Sequence, residues 1–195
     1  LEVPVVVRAS GCATCNASVL NLPVGRLMHL LEKWTFVRAD VWIAKSNHVA
    51  RTTRDSLSLN TSAKAIIYNP IQIPARLKAF SLRRRDTVVF AGTLNMLKGV
   101  FSLCQAWSAV VNCHPTASLH IYGKDILSRA RQSTRQALED MLQENTRRSV
   151  FFHGHVGRET LLNIFVDSRI AVFPSYTESF GNAPFEAMSC GCATI

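Results

Sequence analysis

Residues 170–191 read I-A-V-F-P-S-Y-T-E-S-F-G-N-A-P-F-E-A-M-S-C-G and combine a strand, a polar loop and the start of a helix. The apolar run that opens this stretch predicts a buried strand, and a helix is expected from about Pro184 because proline fits a first helical turn. Gly181 permits close backbone approach, and the N–H groups that open a helix attract phosphate. Glu178 and Glu186 flank this anion site, where carboxylates can accept hydrogen bonds from sugar hydroxyls. The stretch therefore predicts a site for a sugar nucleotide.

The rest of the sequence alternates strand-like and helix-like segments, which is the pattern of a parallel α/β fold. A loop is expected over 9–21, and Ser46 and Asn47 can cap the helix that follows them. Strands are predicted over residues 3–7, 41–44, 64–68, 87–91, 117–122, 149–153 and 169–173, and helices over 27–37, 47–59, 99–112, 126–144 and 158–167. The core candidates of the helix predicted over 126–144 are Leu127, Ala130, Leu138, Met141 and Leu142.

Four predicted strands are each followed by a residue that suits a loop, namely Gly92, Gly123, Gly154 and Pro174. In doubly wound sheets, ligands bind beyond the carboxyl ends of the strands. We therefore expect these four loops to converge on one crevice.

Composition and charge limit which class of protein this chain can belong to. The chain has 195 residues, of which 48% are hydrophobic, so it can bury a substantial core and is not disordered. Its net charge is +9, and residues 1–80 carry ten Lys/Arg against four Asp/Glu. Few aromatic residues interleave with this charge, which favours phosphate or membrane headgroups over nucleic acid as partners. No apolar run approaches the ~18 residues of a membrane-spanning helix, so we expect a soluble or peripheral protein.

Six cysteines include a C-x-x-C at Cys12 and Cys15 and a C-x-C at Cys190 and Cys192. A zinc site is one interpretation of these spacings. We favour reduced thiols, because the C-x-C lies where small buried residues are needed beside Gly191, and because the other two cysteines, Cys104 and Cys113, lie on a predicted helix.

The motif P-S-x-x-E-S-F-G-N-A-x-x-E-A-M-x-x-G resembles the donor site of retaining glycosyltransferases with the GT-B fold, in the large family 4 (group 1) type. The resemblance implies two Rossmann-like, doubly wound parallel-sheet domains, both incomplete in this chain. Residues 1–70 are the expected end of the acceptor-side domain, 71–86 a linker, and 87–195 the nucleotide-sugar-binding domain. The linker contains Arg83-Arg84-Arg85, for which a solvated charge cluster is favoured over a role in ligand binding.

The resemblance also implies roles for residues of the opening motif. Glu186 binds the ribose hydroxyls, and the backbone of Phe180, Gly181 and Asn182 holds the diphosphate or the donor sugar. Glu178 contacts the transferred sugar near the reacting carbon. The implied reaction needs no metal ion and no cofactor, because the helix dipole and a lysine neutralise the diphosphate.

That lysine is predicted in the loop A-G-T-L-N-M-L-K-G, which resembles the first strand-to-helix loop of the family. Gly92 permits close approach, and Lys98 provides a compact charge that can stabilise the leaving diphosphate. A solvent-facing lysine at a helix start is the alternative interpretation. Many relatives carry Arg directly after the Gly, where this chain has Thr93.

Two further sites are implied by the resemblance. The loop H-G-H-V-G, with His155 and Val156, borders the base pocket. Although His153 and His155 suggest a metal, loop histidines hydrogen-bonded to backbone are favoured. The run P-V-V-V-R-A-S-G resembles a family strand whose His lies near the acceptor hydroxyl, and this chain has Ser10 and Gly11 there. A serine is a poor base without help.

The predicted function is transfer of a hexose, with retention of configuration, from a UDP- or GDP-type donor to a saccharide or lipid-linked acceptor. The alternatives are a nucleotide-sugar-binding homologue without transfer activity and a sugar-nucleotide epimerase of the same fold. We expect a cytoplasmic enzyme with peripheral contact to anionic membrane. The first and last residues each lie in or near an apolar strand, so we also expect a fragment that is inactive alone.

Overall fold

The computed structural model describes residues 3–75, 77–79, 83–127 and 132–195. The chain forms two compact units, one made of Leu1–Pro70 with Thr177–Gly181 and the other of Ile71–Tyr176 with Asn182–Ile195. Each unit contains parallel strands connected by helices. The predicted parallel α/β class is confirmed.

The first unit is built on two parallel strands, β1 (Val6–Ala9) and β2 (Val41–Ala44). Its helices are α1 (Ala13–Val19), α2 (Arg26–Val37) and α3 (Asn47–Ser56). Ser46 caps α3 as predicted, because its hydroxyl oxygen accepts from the Val49 amide at 3.1 Å. The buried core of this unit consists of Ala9, Trp42, Ala44, Val49, Leu57 and Leu59.

Helix α1 lies inside the segment 9–21, so the prediction of a continuous loop there is wrong. The carboxylate of Glu32, on α2, accepts hydrogen bonds from the amides of Ala13 and Thr14 at 2.6 and 3.0 Å. It also accepts from the Thr14 hydroxyl at 2.6 Å. These bonds lower the pKa of Glu32, against the opposing effect of burial. A residue distant in sequence therefore satisfies the first two amides of α1, in addition to the local N-cap Cys12, whose sulfur accepts from the Cys15 amide.

The strand predicted over 64–68 is reduced to one isolated parallel bridge between Ala44 and Ile66. Helix α3 ends at Ser56, three residues before its predicted end.

The helix predicted over 27–37 is confirmed as α2, and its apolar side chains are more than half exposed: Leu27, Leu30, Leu31, Trp34 and Val37.

The second unit holds one parallel sheet with strands in the order β5-β4-β3-β6-β7. Chain growth runs outward from β3 to β5 and then resumes on the other side of β3 with β6, which makes β3 and β6 the topological switch point. The strands are β3 (Arg84–Ala91), β4 (Ser118–Tyr122), β5 (Val150–Gly154), β6 (Ser168–Ala171) and β7 (Ala193–Thr194). The helices are α4 (Val100–Cys113), α5 (Thr134–Met141), α6 (Glu144–Arg147), α7 (Arg158–Asp167) and α8 (Asn182–Ser189).

Two apolar layers stabilise this sheet. The layer that includes residues of α4 and α5 contains the fully buried Phe90, Leu119 and Leu138. The other layer includes residues of α7 and α8, among them the fully buried Phe165 and Cys190. Burial of both faces explains the continuous apolar run over residues 88–91 at the end of β3, whereas β4 reads S-L-H-I-Y and alternates half-buried with buried residues.

The single helix predicted over 126–144 is wrong. In the described residues, α5 begins only at Thr134, where Ser133 accepts from the Gln136 amide as the cap at 3.0 Å, and α6 is separate. Of the core candidates, Leu138 and Leu142 are buried, whereas Leu127 and Met141 are exposed. Ala130 lies outside the described residues.

Arg83 is buried, so the prediction of a solvated arginine cluster is wrong for this residue. Its guanidinium donates to the carbonyl oxygens of Lys78 and Ser168 at 3.0 and 3.2 Å. A Cβ atom at Gly191 would lie 2.9 Å from the Arg83 Nη2 atom. Arg83 therefore serves as a structural anchor for the segment before β3.

Cys12 and Cys15 form a disulfide, which contradicts the expectation of reduced thiols for this pair. Cys190 and Cys192 are buried, as predicted from their place beside Gly191, and Cys104 and Cys113 lie on α4 as predicted. Burial raises the pKa of Cys104 to about 12 and that of Cys192 to about 11.

Candidate functional site

The loops at the carboxyl ends of β3, β4 and β5 are joined directly by backbone hydrogen bonds. The amide of Gly92 donates to the carbonyl of Tyr122 at 2.9 Å, and the amide of Gly123 donates to that of Gly154 at 2.8 Å. A Cβ atom at Gly123 would lie 1.8 Å from the Gly92 carbonyl oxygen, so only glycine permits this approach. These loops form one continuous edge of the sheet.

The loop after β3 is also fixed to the loop after β6, across the switch point. Gly99 has a φ of 67°, and a Cβ atom there would lie 1.8 Å from the Pro174 carbonyl oxygen. The Tyr176 amide donates to the Leu97 carbonyl at 2.9 Å. The Tyr176 hydroxyl lies 2.8 Å from that of Ser102 on α4. Within the second unit, the predicted convergence of the loops that begin at Gly92, Gly123, Gly154 and Pro174 is observed.

The structure places three predicted donor-site residues, Gly92, Thr93 and Lys98, in the loop after β3. Asn95 shapes this loop, because its side-chain oxygen accepts from the Lys98 amide at 3.0 Å and caps a single 3₁₀ turn. The half-buried Lys98 side chain passes 3.8 Å from the position of a Cβ atom on Gly92. The loop therefore places the Lys98 side chain beside the backbone of Gly92, a residue that carries no side chain of its own.

Helix α8 begins at Asn182, two residues before Pro184, and the preceding Gly181 has a φ of 83°. That left-handed conformation favours glycine and turns the chain into the helix. The first amides of an α-helix have no partner within the helix and attract anions. Glu186 lies in the second turn of α8 and is 6% exposed.

The buried Glu186 carboxylate is paired with Arg158, the first residue of α7. The Arg158 Nη2 atom lies 2.8 Å from Glu186 Oε1, and the arginine side chain itself is about half exposed. Sequence reasoning missed Arg158, because nothing in a lone arginine at a helix start indicates a partner 28 residues later in the chain.

The predicted base-pocket residues, His155 and Val156, lie in the loop between β5 and α7. His155 is exposed and Val156 is half-buried. Because this loop leads directly into Arg158, the ion pair with Glu186 connects it to α8. The structure thus joins the predicted base-pocket loop to the predicted ribose-binding carboxylate.

His153 does not make the predicted backbone hydrogen bond among its described contacts. Its Nε2 atom lies 2.9 Å from the Nδ1 atom of His120, on the neighbouring strand. The His153 ring stacks on Tyr122 at a centroid distance of 4.4 Å. Burial lowers the pKa of both histidines, and the nearby charges of His153 and Arg84 lower that of His120 further.

The remaining donor-site candidates, Glu178, Phe180 and Gly181, belong to the first unit. The carbonyl of Ser179 accepts from the Ser46 hydroxyl at 2.7 Å, so the residue that caps α3 also holds this loop. The Phe180 ring lies 5.9 Å from that of Tyr68. Sequence reasoning identified Ser46 only as a helix cap and missed its second contact.

The acceptor candidates Ser10 and Gly11 follow β1 directly in the first unit. Both are exposed, and Gly11 has a φ of 113°. The disulfide between Cys12 and Cys15 begins at the next residue. The structure therefore places both acceptor candidates at the carboxyl end of a parallel strand, where α/β folds bind ligands.

Two kinds of feature are absent from the residues that the structure describes. No group of three or more His, Cys, Asp or Glu side chains in ranges 3–75, 77–79, 83–127 and 132–195 has the arrangement of a metal site. Over the same ranges, no helix is long and apolar enough to span a membrane.

Comparison with known proteins identifies the family. Residues 85–195 match the family model described as glycosyl transferases group 1. An uncharacterized glycosyltransferase of Methanocaldococcus jannaschii is 31% identical over 109 residues, which cover 55% of this chain and 26% of the relative. The O-antigen chain mannosyltransferase B of Escherichia coli is 28% identical over 138 residues, which cover 70% of this chain and 35% of the relative.

The fold has a close counterpart among solved structures. The Anabaena protein HepE, crystallised with UDP and glucose, superposes with a TM-score of 0.76 at 16% identity, covering 98% of this chain and 52% of HepE. The predicted GT-B class is thereby confirmed. The chain spans about a quarter to a third of the curated relatives' length and about half of HepE. With more than half of its residues matched by one family model, the chain belongs to the glycosyl transferases group 1 family.

Proposed function

We propose that this protein transfers a hexose from a nucleoside diphosphate sugar to a saccharide or lipid-linked acceptor, with retention of configuration. The observation that carries the proposal is the buried carboxylate of Glu186 in the second turn of α8, the helix that follows β6 and the loop at its carboxyl end. A buried, ionisable acceptor beside an anion-attracting helix start suits a ligand that carries both hydroxyls and phosphates. Family membership supports transfer as the reaction.

In the proposed complex, Glu186 accepts hydrogen bonds from the ribose hydroxyls. The opening amides of α8, at Asn182, and the backbone of Phe180 and Gly181 hold the diphosphate or the donor sugar. Glu178 contacts the transferred hexose. HepE was crystallised with UDP and glucose, so a uridine donor is the first candidate, and a guanosine donor is the alternative.

Lys98 is proposed to neutralise the leaving nucleoside diphosphate. As the bond between the sugar C1 and the phosphate oxygen breaks, negative charge develops on the diphosphate, which departs with the electron pair. The acceptor hydroxyl oxygen then bonds to C1 on the same face of the sugar, and the hydroxyl proton passes to the departing diphosphate. A fixed ammonium near the diphosphate stabilises this charge without reorganisation. The proposal assigns Ser10 and Gly11 to acceptor positioning and includes no metal ion.

The test is sugar release and stereochemistry in the full-length protein. The protein is incubated with UDP- or GDP-hexoses and a saccharide or lipid-linked acceptor, the liberated nucleotide is assayed, and the anomeric configuration of the glycoside product is read by proton NMR. We expect one donor class to be consumed with retention, and Lys98→Ala to lower kcat by about 100-fold. Lys64→Ala, at an exposed lysine of the first unit, is the matched control and should leave kcat unchanged. Inversion, or turnover untouched by Lys98→Ala, contradicts the proposal.

A second candidate is a nucleotide-sugar-binding protein without transfer activity. Thr93 stands where many relatives carry Arg, and Ser10 where they carry His, so two groups that assist the reaction elsewhere are replaced. Donor binding without turnover on any sugar or lipid-linked acceptor would support this candidate. Transfer at a rate above that of spontaneous donor hydrolysis would exclude it.

Peripheral contact with an anionic membrane is proposed from charge. Residues 1–80 carry the larger part of the +9 net charge, and basic surfaces bind anionic headgroups. Co-sedimentation with phosphatidylglycerol vesicles is expected at low salt, with little binding to phosphatidylcholine vesicles. Binding that is absent, or that is insensitive to added salt, removes this proposal.

A further inference from the structure

Glu186 is a carboxylate in an environment where a charge needs a partner. Glu186 is 6% exposed as a whole residue and precedes the fully buried Ala187 on α8. A buried carboxylate without hydrogen bonds or an opposite charge is strongly disfavoured. The position therefore depends on whichever group supplies that charge.

Arg158 supplies it from a different helix. Its Nη2 atom contacts Glu186 Oε1 at 2.8 Å, and its side chain is 52% exposed while that of Glu186 is 8% exposed. The arginine thus reaches from the protein surface to the carboxylate, and the contact fixes Oε1. Because a carboxylate can accept about four hydrogen bonds, one contact leaves acceptor capacity on Glu186.

The pair also lies where the second unit would bind a nucleotide. Arg158 follows the loop with His155 and Val156 after β5, and Glu186 belongs to the helix after β6. Both loops emerge from the carboxyl edge of the sheet, where α/β folds bind ligands. An ion pair between two such loops constrains the direction in which the carboxylate presents its second oxygen.

We propose that Arg158 is a positioning residue that holds Glu186 so that Oε2 accepts the ribose hydroxyls of the donor nucleotide. This inference rests on the proposed function and assigns to Arg158 a role through Glu186 rather than a contact with the nucleotide. Recognition of the ribose hydroxyls then depends on both Glu186 and Arg158. Loss of Arg158 should therefore reduce the preference for a nucleotide with hydroxyls over one without them.

The experiment compares UDP or GDP, whichever binds the full-length protein, with its 2′,3′-dideoxy counterpart by isothermal titration. In the wild type, we expect the dideoxy nucleotide to bind about 10-fold or more weakly, because charged hydrogen bonds are lost. Arg158→Ala should reduce that ratio to within about 3-fold, and Glu186→Gln should do the same. Arg148→Ala removes an equal charge from an exposed ion pair with Glu144 and should keep the wild-type ratio.

The double variant Arg158→Ala/Glu186→Gln tests whether Arg158 acts through Glu186. It leaves no buried charge unpaired, so it provides a folded sample if Arg158→Ala alone unfolds. The inference predicts that it binds UDP or GDP as Glu186→Gln does, within about 2-fold, because residues that act as one unit are non-additive. A further large loss indicates that Arg158 contacts the nucleotide itself and overturns the inference.

Failure of the inference and failure of the proposed function are distinguishable. If the wild type discriminates between the two nucleotides and folded Arg158→Ala discriminates equally, the positioning role alone is refuted. If the wild type binds neither UDP nor GDP, the proposed function fails and this inference fails with it.

Discussion

Gly123 offers a direct test of how the loops at the edge of the sheet are held. A Cβ atom there would lie 1.8 Å from the Gly92 carbonyl oxygen and 2.7 Å from the Gly92 carbonyl carbon. Because Cβ atoms essentially never approach within 3.0 Å of another heavy atom, Gly123→Ala must displace the Gly92 backbone by about 1.2 Å. Both neighbours are backbone atoms, so no flexible side chain can relieve the overlap.

The cost follows from the bonds that this displacement breaks. The Gly92 amide donates to Tyr122 at 2.9 Å, and that bond is lost when the backbone moves away. One lost hydrogen bond costs about 1 kcal/mol, and overpacking strain adds about 1–3 kcal/mol. The lower entropy of the unfolded alanine chain offsets about 0.4–1 kcal/mol. The net loss is about 2.5 kcal/mol, or about 5–10 °C in Tm for a domain of this size.

Thermal and urea denaturation of the full-length protein, followed by circular dichroism, measure this loss. Gly157→Ala is the matched control, because nothing lies within 4 Å of a Cβ atom there and its φ of −64° suits alanine. Because Gly157 is the N-cap of α7, where alanine is less favourable than glycine, the control should lose no more than about 1 kcal/mol relative to the wild type. A Gly123→Ala variant as stable as Gly157→Ala would refute the contact between the loops that follow β3 and β4.

Three further predictions concern titration, thiol reactivity and metal dependence. The lowered pKa values of His120 and His153 mean that the unfolded chain binds more protons, so stability is full above the ordinary histidine pKa of 6.5 and falls as the pH drops toward the folded values. Urea denaturation at about pH 8 and about pH 5.5 should show this fall, and His153→Phe should reduce it; equal stability at both pH values contradicts it. Iodoacetamide should alkylate the exposed Cys113 before the buried Cys104, whose pKa is about 12, and mass spectrometry showing the reverse order would contradict the α4 packing. Treatment with EDTA should leave donor turnover unchanged, whereas a loss restored by Mg²⁺ would refute the proposal that the reaction needs no metal ion.

Local sequence pattern was sufficient to predict most of the strands and helices of the second unit. Apolar residues located the four strands β3 to β6, with ends that differ from the predicted ones by at most three residues. The helix over Arg158–Asp167 matched its predicted bounds because Gly157 precedes it and a regular apolar period runs through it. Loop-forming residues after the strands then located the edge where the candidates lie.

Interactions between distant residues account for what the sequence pattern missed. The first two amides of helix α1 depend on Glu32 for their partners, and the bend before α5 depends on Asp125, whose carboxylate accepts from the Ser133 hydroxyl and the Arg135 amide. The burial of Arg83 likewise depends on carbonyl groups up to 85 residues away. Such contacts produce neither a hydrophobic period nor a local motif in the amino-acid sequence.

Gly92, Lys98 and Glu186 became candidates because the motif and loop that contain them resemble those of the family and follow predicted strands. Arg158 was missed because its importance lies in a tertiary contact with Glu186. The disulfide between Cys12 and Cys15 was missed because the same spacing also suits reduced thiols and metal sites.

Isothermal titration of the full-length protein with UDP and with GDP tests the central claim most directly. The account predicts that one of the two nucleotides binds the wild type and that Glu186→Ala weakens its binding by about 1–3 kcal/mol. The matched control is Glu144→Ala, since the Glu144 side chain is 85% exposed and should not affect binding. If neither nucleotide binds, or if Glu186→Ala binds as tightly as Glu144→Ala, the assignment of the donor site to α8 is contradicted.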